Sequence, residues 1–397
     1  MENKGLSKCK ICGEDTEIIL GLQFRDLQGV KTKEYEQIIR FCPRCKFIFT
    51  QNPLSEEALN NRYKNESKFE YDSSNYFLDQ DDAYIRRCSR QKFFIDSHIK
   101  GKYGSIFEVG ASSGYNLSLY SDINTYGIEP SKLNCNLAKK IYGIDLFNGT
   151  YQDYLSSNIG KSYDLLFLSH TLEHIVDPLD FLKNINPGSS KYIFIEVPTF
   201  DYKYIDEPFG MFCEEHVNYF SYESLENLMF ELGYKSIACN ITFEPDCMLP
   251  AGFPAISTLW EKCDNPVHLS VSNNIKNIVE NYINKSRIEL QRINSILMKI
   301  PDDKRVALWG VGHHVSMLAA NTVLSNKDIV RVYDSDSRKY KYKFCDIEIQ
   351  PFDENDIYEH YIDVIIVTTY TAQKAISKVL NKYEKDVEVI YLYSLPM

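Results

Sequence analysis

From Ala83 to Ile99 the apolar positions recur at helical spacing, and after Ser105 the pattern changes to short apolar runs set between helical stretches. Ser105–Val109, Tyr126–Ile128, Leu165–Leu168 and Tyr192–Val197 read as strands; Ser113–Tyr120, Leu133–Ile141 and Pro178–Ile185 read as the helices between them. Strands alternating with helices of about ten residues predict βαβ units and a parallel sheet covered on both faces. Within Ser270–Lys299, residues such as Ile275, Val279, Tyr282, Ile283, Ile293 and Leu297 return every three or four positions, which predicts one long amphipathic helix ending at Pro301. Val306–Trp309, Val330–Tyr333, Val364–Val367 and Val389–Tyr393 then predict a second α/β series. Ahead of both series lies a short segment with paired cysteines, followed by the polar stretch Asn52–Asp82. Three domains are expected, at residues 1–82, 83–240 and 241–397.

Composition narrows the class. A chain of 397 residues, 44% hydrophobic and 25% charged, is neither disordered nor a single ordinary core. A net charge of −11 opposes a sequence-blind nucleic-acid binder, so no nucleic-acid partner is expected. No apolar run reaches the roughly 18–20 residues of a membrane span, and the polar start has no signal-peptide character. A cytoplasmic monomer or homodimer is the expectation. Among the 11 cysteines, Cys9-x2-Cys12 and Cys42-x2-Cys45 form two matched pairs. Four thiolates so spaced close a tetrahedron around zinc and leave no open position, so the expected ion is structural.

Phe107-Glu108-Val109-Gly110-Ala111-Ser112-Ser113-Gly114 follows one predicted strand and opens a helix. Gly110 lets the chain turn sharply, and Gly114 is expected to let a ligand approach the backbone. Glu129, at the end of the next strand, stands where an acid grips a ribose diol. The dinucleotide fingerprint is GxGxxG; a GxxxG loop with an acid two residues ahead of it fits S-adenosylmethionine better. Glu108 would orient the methionine part of that cofactor, and Pro130, Tyr151, Ser169 and His170 complete the candidate cofactor set. After the Leu165–Leu168 strand come Ser169-His170-Thr171-Leu172-Glu173-His174, facing the same crevice. His170 is read as covering the cofactor and His174 as pointing into the substrate space; the plainer reading of either is a cap or a packed ring. Near the C-terminus, Trp309-Gly310-Val311-Gly312-His313-His314 is a strand entering a Gly-x-Gly turn, and Asp334 ends the next strand. Read alone, this turn suggests NAD, but the full fingerprint is absent because position 315 is Val.

With these motifs the chain resembles the class I methyltransferases and, more narrowly, the bacterial deoxysugar C-methyltransferases. That family has a zinc-binding N-terminal domain, a Rossmann-like class I methyltransferase core and a C-terminal Rossmann-like domain. The four-cysteine start, the GxxxG loop and Glu215-His216-Val217-Asn218-Tyr219-Phe220-Ser221 carry the resemblance. It implies an α/β fold with a zinc-ribbon-like N-terminus, and a C-terminal domain that binds a nucleotide-linked sugar and no NAD. Gly310, Gly312, His313 and Asp334 would then be substrate contacts. It also implies that the Glu215-His216 pair takes part in proton removal, that His174 is an active-site histidine, and that a tyrosine ahead of the core contributes, with Tyr76 and Tyr71 as candidates. The chain departs from the family at two places. Cys213-Glu214 replaces a Tyr-His pair, and His313-His314 replaces small residues after the C-terminal glycines.

Methylating carbon needs a carbon nucleophile, which a sugar carbon beside a ketone supplies once a base near neutral pKa removes its proton. The leading expectation is therefore an S-adenosylmethionine-dependent C-methyltransferase acting on a nucleotide-linked 4-keto-deoxysugar, with His216 favoured over Glu215 as base. Alternatives are an O- or N-methyltransferase on a related sugar, an NAD-dependent oxidoreductase, or a non-catalytic sugar-nucleotide binder. Arg86, Arg87 and Lys339 are the candidate cations for an anionic substrate.

Overall fold

The computed structural model describes residues 7–27, 32–55, 57–60, 82–157, 163–186, 190–200, 207–246, 249–266, 274–370 and 372–393. The chain forms two compact units that interleave along the sequence. The first takes Met1–Ile18, Arg40–Lys203 and Glu215–Ile278; the second takes Ile19–Ile39, Tyr204–Glu214 and Val279–Met397.

Strands β1 (Glu17–Arg25), β2 (Glu34–Phe41) and β3 (Ile48–Thr50) come first in the chain. After the helix Asp82–Ile99 follow β4 (Ser105–Val109), β5 (Asn124–Glu129), β6 (Phe147–Asn148), β7 (Leu165–Ser169) and β8 (Tyr192–Pro198). Then come β9 (Asn218–Tyr219), β10 (Tyr234–Asp246) and β11 (Leu249–Lys262). The first unit's main sheet has the order β10-β11-β8-β7-β4-β5-β6. Strands β4 to β8 are parallel, β11 runs antiparallel to β8, and β10 folds back on β11. Every position of β8 is buried, as expected of a strand covered on both faces. Starting at β4 the chain steps outward to β6, then returns to β7 on the other side of β4. The reversal leaves a crevice at the carboxyl ends of β4 and β7, the usual ligand seat of such sheets.

Local chemistry sets the helix starts. Asp177 caps the helix Pro178–Ile185 by accepting from the Asp180 N–H, with proline in the first turn where no N–H is needed. Thr150 and Asp153 form a capping box ahead of Tyr151–Ser156. The stretch expected as one helix over 133–141 is an α-helix, Lys132–Leu137, that continues as a π-turn, Ala138–Tyr142.

The long β10–β11 hairpin extends this sheet beyond residue 240, where a domain boundary was expected. Pro245, Pro250 and Pro254 interrupt the alternation that would have marked two strands. The expected boundary at 82 is not a packing boundary either. Cys9, Cys42, Cys45, Phe47 and Phe49 belong to the same buried cluster as Phe107, Leu166, Ile193 and Trp260.

In the second unit, β12 (Arg305–Trp309), β13 (Asp328–Tyr333), β14 (Lys343–Phe344), β15 (Ile347–Gln350), β16 (Val364–Val367) and β17 (Glu388–Tyr391) form a sheet of order β14-β15-β13-β12-β16-β17. It is parallel from β15 to β17, and its reversal lies between β12 and β16. Both sheets are thus of the Rossmann-like α/β class expected. The helix Ile275–Leu297 precedes the second sheet, where periodicity placed it. Among the described residues no helix is long and apolar enough to cross a membrane.

Candidate active site and its setting

The glycine loop leaves β4 with Gly110 at φ +80, a conformation that L side chains rarely adopt. A Cβ there would stand 2.9 Å from Thr171 Oγ1, so the space is filled by the loop after β7. The Thr171 hydroxyl donates to the Val109 carbonyl at 2.8 Å, tying the two loops at the switch point. At Gly114, φ +75, a Cβ would meet Ala138 Cβ at 2.8 Å. The missing side chain makes room for the neighbouring helical segment.

Glu108 is buried in β4; Oε1 accepts from Asn116 Nδ2 at 3.2 Å, and Oε2 has no hydrogen-bond partner among the described residues. Burial pushes its carboxyl up to about 8, against the lowering effect of the Asn116 amide. Glu129 ends β5 with Oε2 accepting from the Ser112 N–H and Oε1 from the Ser131 N–H, both at 2.8 Å. It shapes the loop it faces, and each oxygen retains a further lone pair. Ala111 N–H donates to the Ile128 carbonyl beside it. Pro130 is half-buried, with its carbonyl taken by Asn148 Nδ2 at 3.0 Å, and the Tyr151 ring packs edge-on against Phe181 at 4.8 Å.

Across the crevice, Ser169 Oγ accepts from Gln91 Nε2 at 2.8 Å. His170 sits at φ +50 with Nδ1 3.4 Å from Glu173 Oε1 and Nε2 3.6 Å from Glu196 Oε1. Burial alone would lower its pKa, and Arg87 works the same way; Glu173 and Glu196 outweigh both and raise it. Glu196 is fully buried, clasped by both guanidinium nitrogens of Arg90 at 2.9 and 3.1 Å, by Gln91 at 2.6 Å and by Ser257 at 2.5 Å. Despite burial, His170 and Arg90 hold its carboxyl well below the usual carboxylate range. Arg87 is half-buried and Arg86 exposed.

His174 and His216, far apart in sequence, stand edge-to-face with ring centroids 4.9 Å apart. Backbone bonds staple their two segments together. Val217 N–H donates to the Glu173 carbonyl at 2.8 Å, and Asn218 Nδ2 donates to the carbonyls of Leu172 and Ile175. His174 Nδ1 meets the Glu215 carbonyl at 3.0 Å; since a carbonyl only accepts, Nδ1 carries the proton and Nε2 is the basic nitrogen. Burial lowers the His174 pKa more than Glu173 raises it. Glu173, 1% exposed, brings its carboxylate and the ring nitrogens of His174 and His216 within 4.8 Å of one another. Tyr76 and Tyr71 lie outside the described residues.

A family model described as a methyltransferase domain matches residues 83–238. Residues 83–238 are a methyltransferase domain. Among solved structures, the chain is similar to a SAM-dependent methyltransferase from Leishmania major (19% identity, TM-score 0.36, covering 47% of this chain and 76% of that one). It is also similar to SAM-dependent methyltransferases from Archaeoglobus fulgidus (16%, 0.34, 47% and 99%) and Clostridium acetobutylicum (15%, 0.35, 48% and 100%). A search of curated protein sequences gave no match. The glycine loop suits S-adenosylmethionine: among the described residues Glu108 Oε2 has no hydrogen-bond partner and suits a cationic amino group, while Glu129 accepts from two N–H groups of the loops beside it.

The four N-terminal cysteines form two similar knuckles. Gly13 N–H donates to the Cys9 carbonyl and Lys46 N–H to the Cys42 carbonyl, each at 2.9 Å, with φ +71 and +61 at these residues. Cys9 and Cys42 N–H close the turns on Glu14 and Phe47 at 2.8 Å. Ile11 N–H faces Cys9 Sγ at 3.4 Å and Cys45 N–H faces Cys42 Sγ at 3.5 Å. The four sulfurs all lie within 4.8 Å of one another, close to the ~3.8 Å that four ligands 2.3 Å from one zinc ion would show.

The second unit repeats the switch-point design. Gly310, at φ +103, has its Cβ space filled by Thr369 Cγ2 at 2.6 Å, as Thr171 fills that of Gly110. Asp334 accepts from the Val311 and Asp336 N–H groups at 2.8 and 2.9 Å, as Glu129 does from Ser112 and Ser131. The difference is Lys339, whose Nζ binds Asp334 Oδ2 at 2.8 Å and the Val311 carbonyl at 2.6 Å. Gly312 opens the helix His313–Asn321, with Lys339 Nζ 3.8 Å from its Cβ position. His313 Nδ1 pairs with Glu214, and its ring packs on Phe24 at 4.8 Å. The two departures from the resembled family, at Glu214 and His313, therefore meet each other.

Sequence reading missed Glu173, Thr171, Arg90, Gln91 and Glu196. Glu196 had a signal, being the one charge inside the apolar run Tyr192–Val197. Glu173 lies inside the quoted histidine motif, where only the histidines were read.

Proposed function

We propose that the chain is a C-methyltransferase that places a methyl group on the carbon beside the ketone of a nucleotide-linked 4-keto-deoxysugar, in the making of a surface polysaccharide or a glycosylated metabolite. The observation supporting this reading is the His174–His216 pair, in which His174 follows the sheet's switch point and Nδ1–H is fixed on a carbonyl. Such a pair suits removal of a weakly acidic carbon-bound proton. The C–H bond breaks, the proton passes to His216, and the electron pair moves toward the ketone oxygen. The enolate carbon so formed is the nucleophile. When bound, S-adenosylmethionine supplies the methyl group as an activated sulfonium. Glu108, Glu129 and the loop from Gly110 would hold it, with Ser169 and His170 across the crevice. His174, its Nδ1–H held on the Glu215 carbonyl, stands edge-on to the His216 ring and orients it. Zinc on Cys9, Cys12, Cys42 and Cys45 is structural in this reading. In the second unit, the turn at Gly310 and Gly312 with Lys339 is a seat for the anionic nucleotide part, while Asp334 and His313 serve mainly to shape it.

Calorimetric titration with S-adenosylhomocysteine, with NAD as control, tests the cofactor. Micromolar binding of the first alone is expected, and NAD binding alone would return the oxidoreductase reading. Candidate keto-sugars in heavy water should exchange an α-proton in the presence of S-adenosylhomocysteine, and His216→Asn should lose exchange while binding persists. Transfer to oxygen or nitrogen without exchange would establish the O- or N-methyltransferase reading instead.

A further inference from the structure

Glu173 is an ionisable side chain that the proposed reaction leaves without a task. It is 1% exposed, and among the described residues neither carboxylate oxygen has a hydrogen-bond partner. His170 Nδ1 lies 3.4 Å and His174 Nε2 3.8 Å from Oε1, and a ring nitrogen of His216 lies within 4.8 Å. A carboxylate sealed from water without donors is costly unless positive charge forms beside it. Its backbone carbonyl, by accepting the Val217 N–H, also fixes the segment that carries His216.

We propose that Glu173 is the positioning carboxylate of the histidine pair, stabilising the imidazolium that forms when the pair takes up the substrate's proton. This rests on the reading of His174 and His216 as proton-handling residues. On proton uptake one imidazole nitrogen gains a hydrogen and a positive charge, while the electron pair of the broken C–H bond stays with the substrate. The charge so created faces Glu173 at close range in a poorly hydrated site, where attraction is strong. Glu215 is the rival for this role. Its carbonyl orients His174, and among the charges facing His174 its carboxylate acts more weakly than Glu173 and His216. The cluster's other charges are accounted for: Arg87 and Glu196 face His170, and Arg90 is committed to Glu196. The Glu173 carboxyl itself is held down at about 2, where burial would raise it, by His174, His170 and His216.

The test needs no sugar substrate, so it can fail independently of the sugar reading. Full-length, zinc-replete protein with ¹⁵N-labelled histidine and saturating S-adenosylhomocysteine is titrated by NMR. Rings are assigned with His174→Gln and His216→Gln. In Glu173→Gln at least one ring of the pair should titrate about one pH unit lower than in the unsubstituted protein. Glu173→Asp should recover part of that shift, and affinity for S-adenosylhomocysteine should hold within about twofold. Unchanged ring titrations in Glu173→Gln would overturn the proposal, as would a larger drop in Glu215→Gln. A divalent metal ion beyond the cysteine-bound one, present in the unsubstituted protein and lost in Glu173→Gln, would make Glu173 a ligand and also overturn it. If Glu173→Gln does not bind S-adenosylhomocysteine, Glu173→Asp decides alone: a drop of about half a unit supports the proposal and none refutes it.

Discussion

At Glu108 a buried carboxyl with one bare oxygen stays largely protonated near neutrality, because burial raises it to about 8. A ligand's ammonium group requires the carboxylate, so binding expels a proton below that pH. Affinity for S-adenosylhomocysteine should therefore tighten by up to about tenfold per pH unit approaching 8 and level off above it. Calorimetry across pH 6–9 checks this, and Glu108→Gln should flatten the profile. Gly110 carries a different prediction. An alanine there combines φ +80 with a 2.9 Å approach to Thr171 Oγ1, and should cost about 1–3 kcal/mol in thermal or denaturant unfolding. The acid and glycine positions of this loop were legible because turn chemistry and ligand chemistry use fixed residue types at fixed spacing. The role of Gly114 was not, since what a glycine makes room for depends on a neighbour 24 positions on, Ala138. Glu214 and His313 give the same lesson: each reads alone as a departure from pattern, and only packing shows them as one pair. A double-mutant cycle between Glu214→Gln and His313→Gln should return a coupling of about 0.5–3 kcal/mol.

The elements read most clearly are those with a continuous apolar run or a marked cap. β4, the helix Pro178–Ile185 and β16 fall at the expected residues because continuous apolar runs or caps mark them. The β10–β11 hairpin was hidden by its prolines, and the short β6 and β9 carry too few residues for any period to appear. The cysteine knuckles belong at this scale, since each is a turn whose geometry serves four sulfurs at once. The proposed zinc predicts about one zinc per chain by elemental analysis. Cys42→Ser should lose that metal and lower the melting temperature, because Cys42, Phe47 and Phe49 share one buried cluster with the methyltransferase sheet. Metal content unchanged in that variant would refute the assignment.

For the whole molecule, two doubly wound sheets were evident from alternation alone, but the division of chain between them was not. Periodicity reports what a segment is, and says little about which distant segment it packs against. A ligand stabilises the structure that holds it. Saturating S-adenosylhomocysteine should accordingly slow amide exchange most at the carboxyl ends of β4, β5 and β7, with the loop at Gly310 far less affected. Uniform protection of both loops would contradict the cofactor seat. The interleaving has a temporal side as well. Ile19–Ile39 belongs with Val279–Met397, and Glu215–Ile278 completes a unit begun at the N-terminus. On a ribosome adding about 5–20 residues per second, the segment around β1 and β2 waits on the order of tens of seconds for its partners to be synthesised. The nascent chain must therefore keep those early residues from pairing elsewhere, and neither unit is a contiguous piece that a single cut of the gene would deliver.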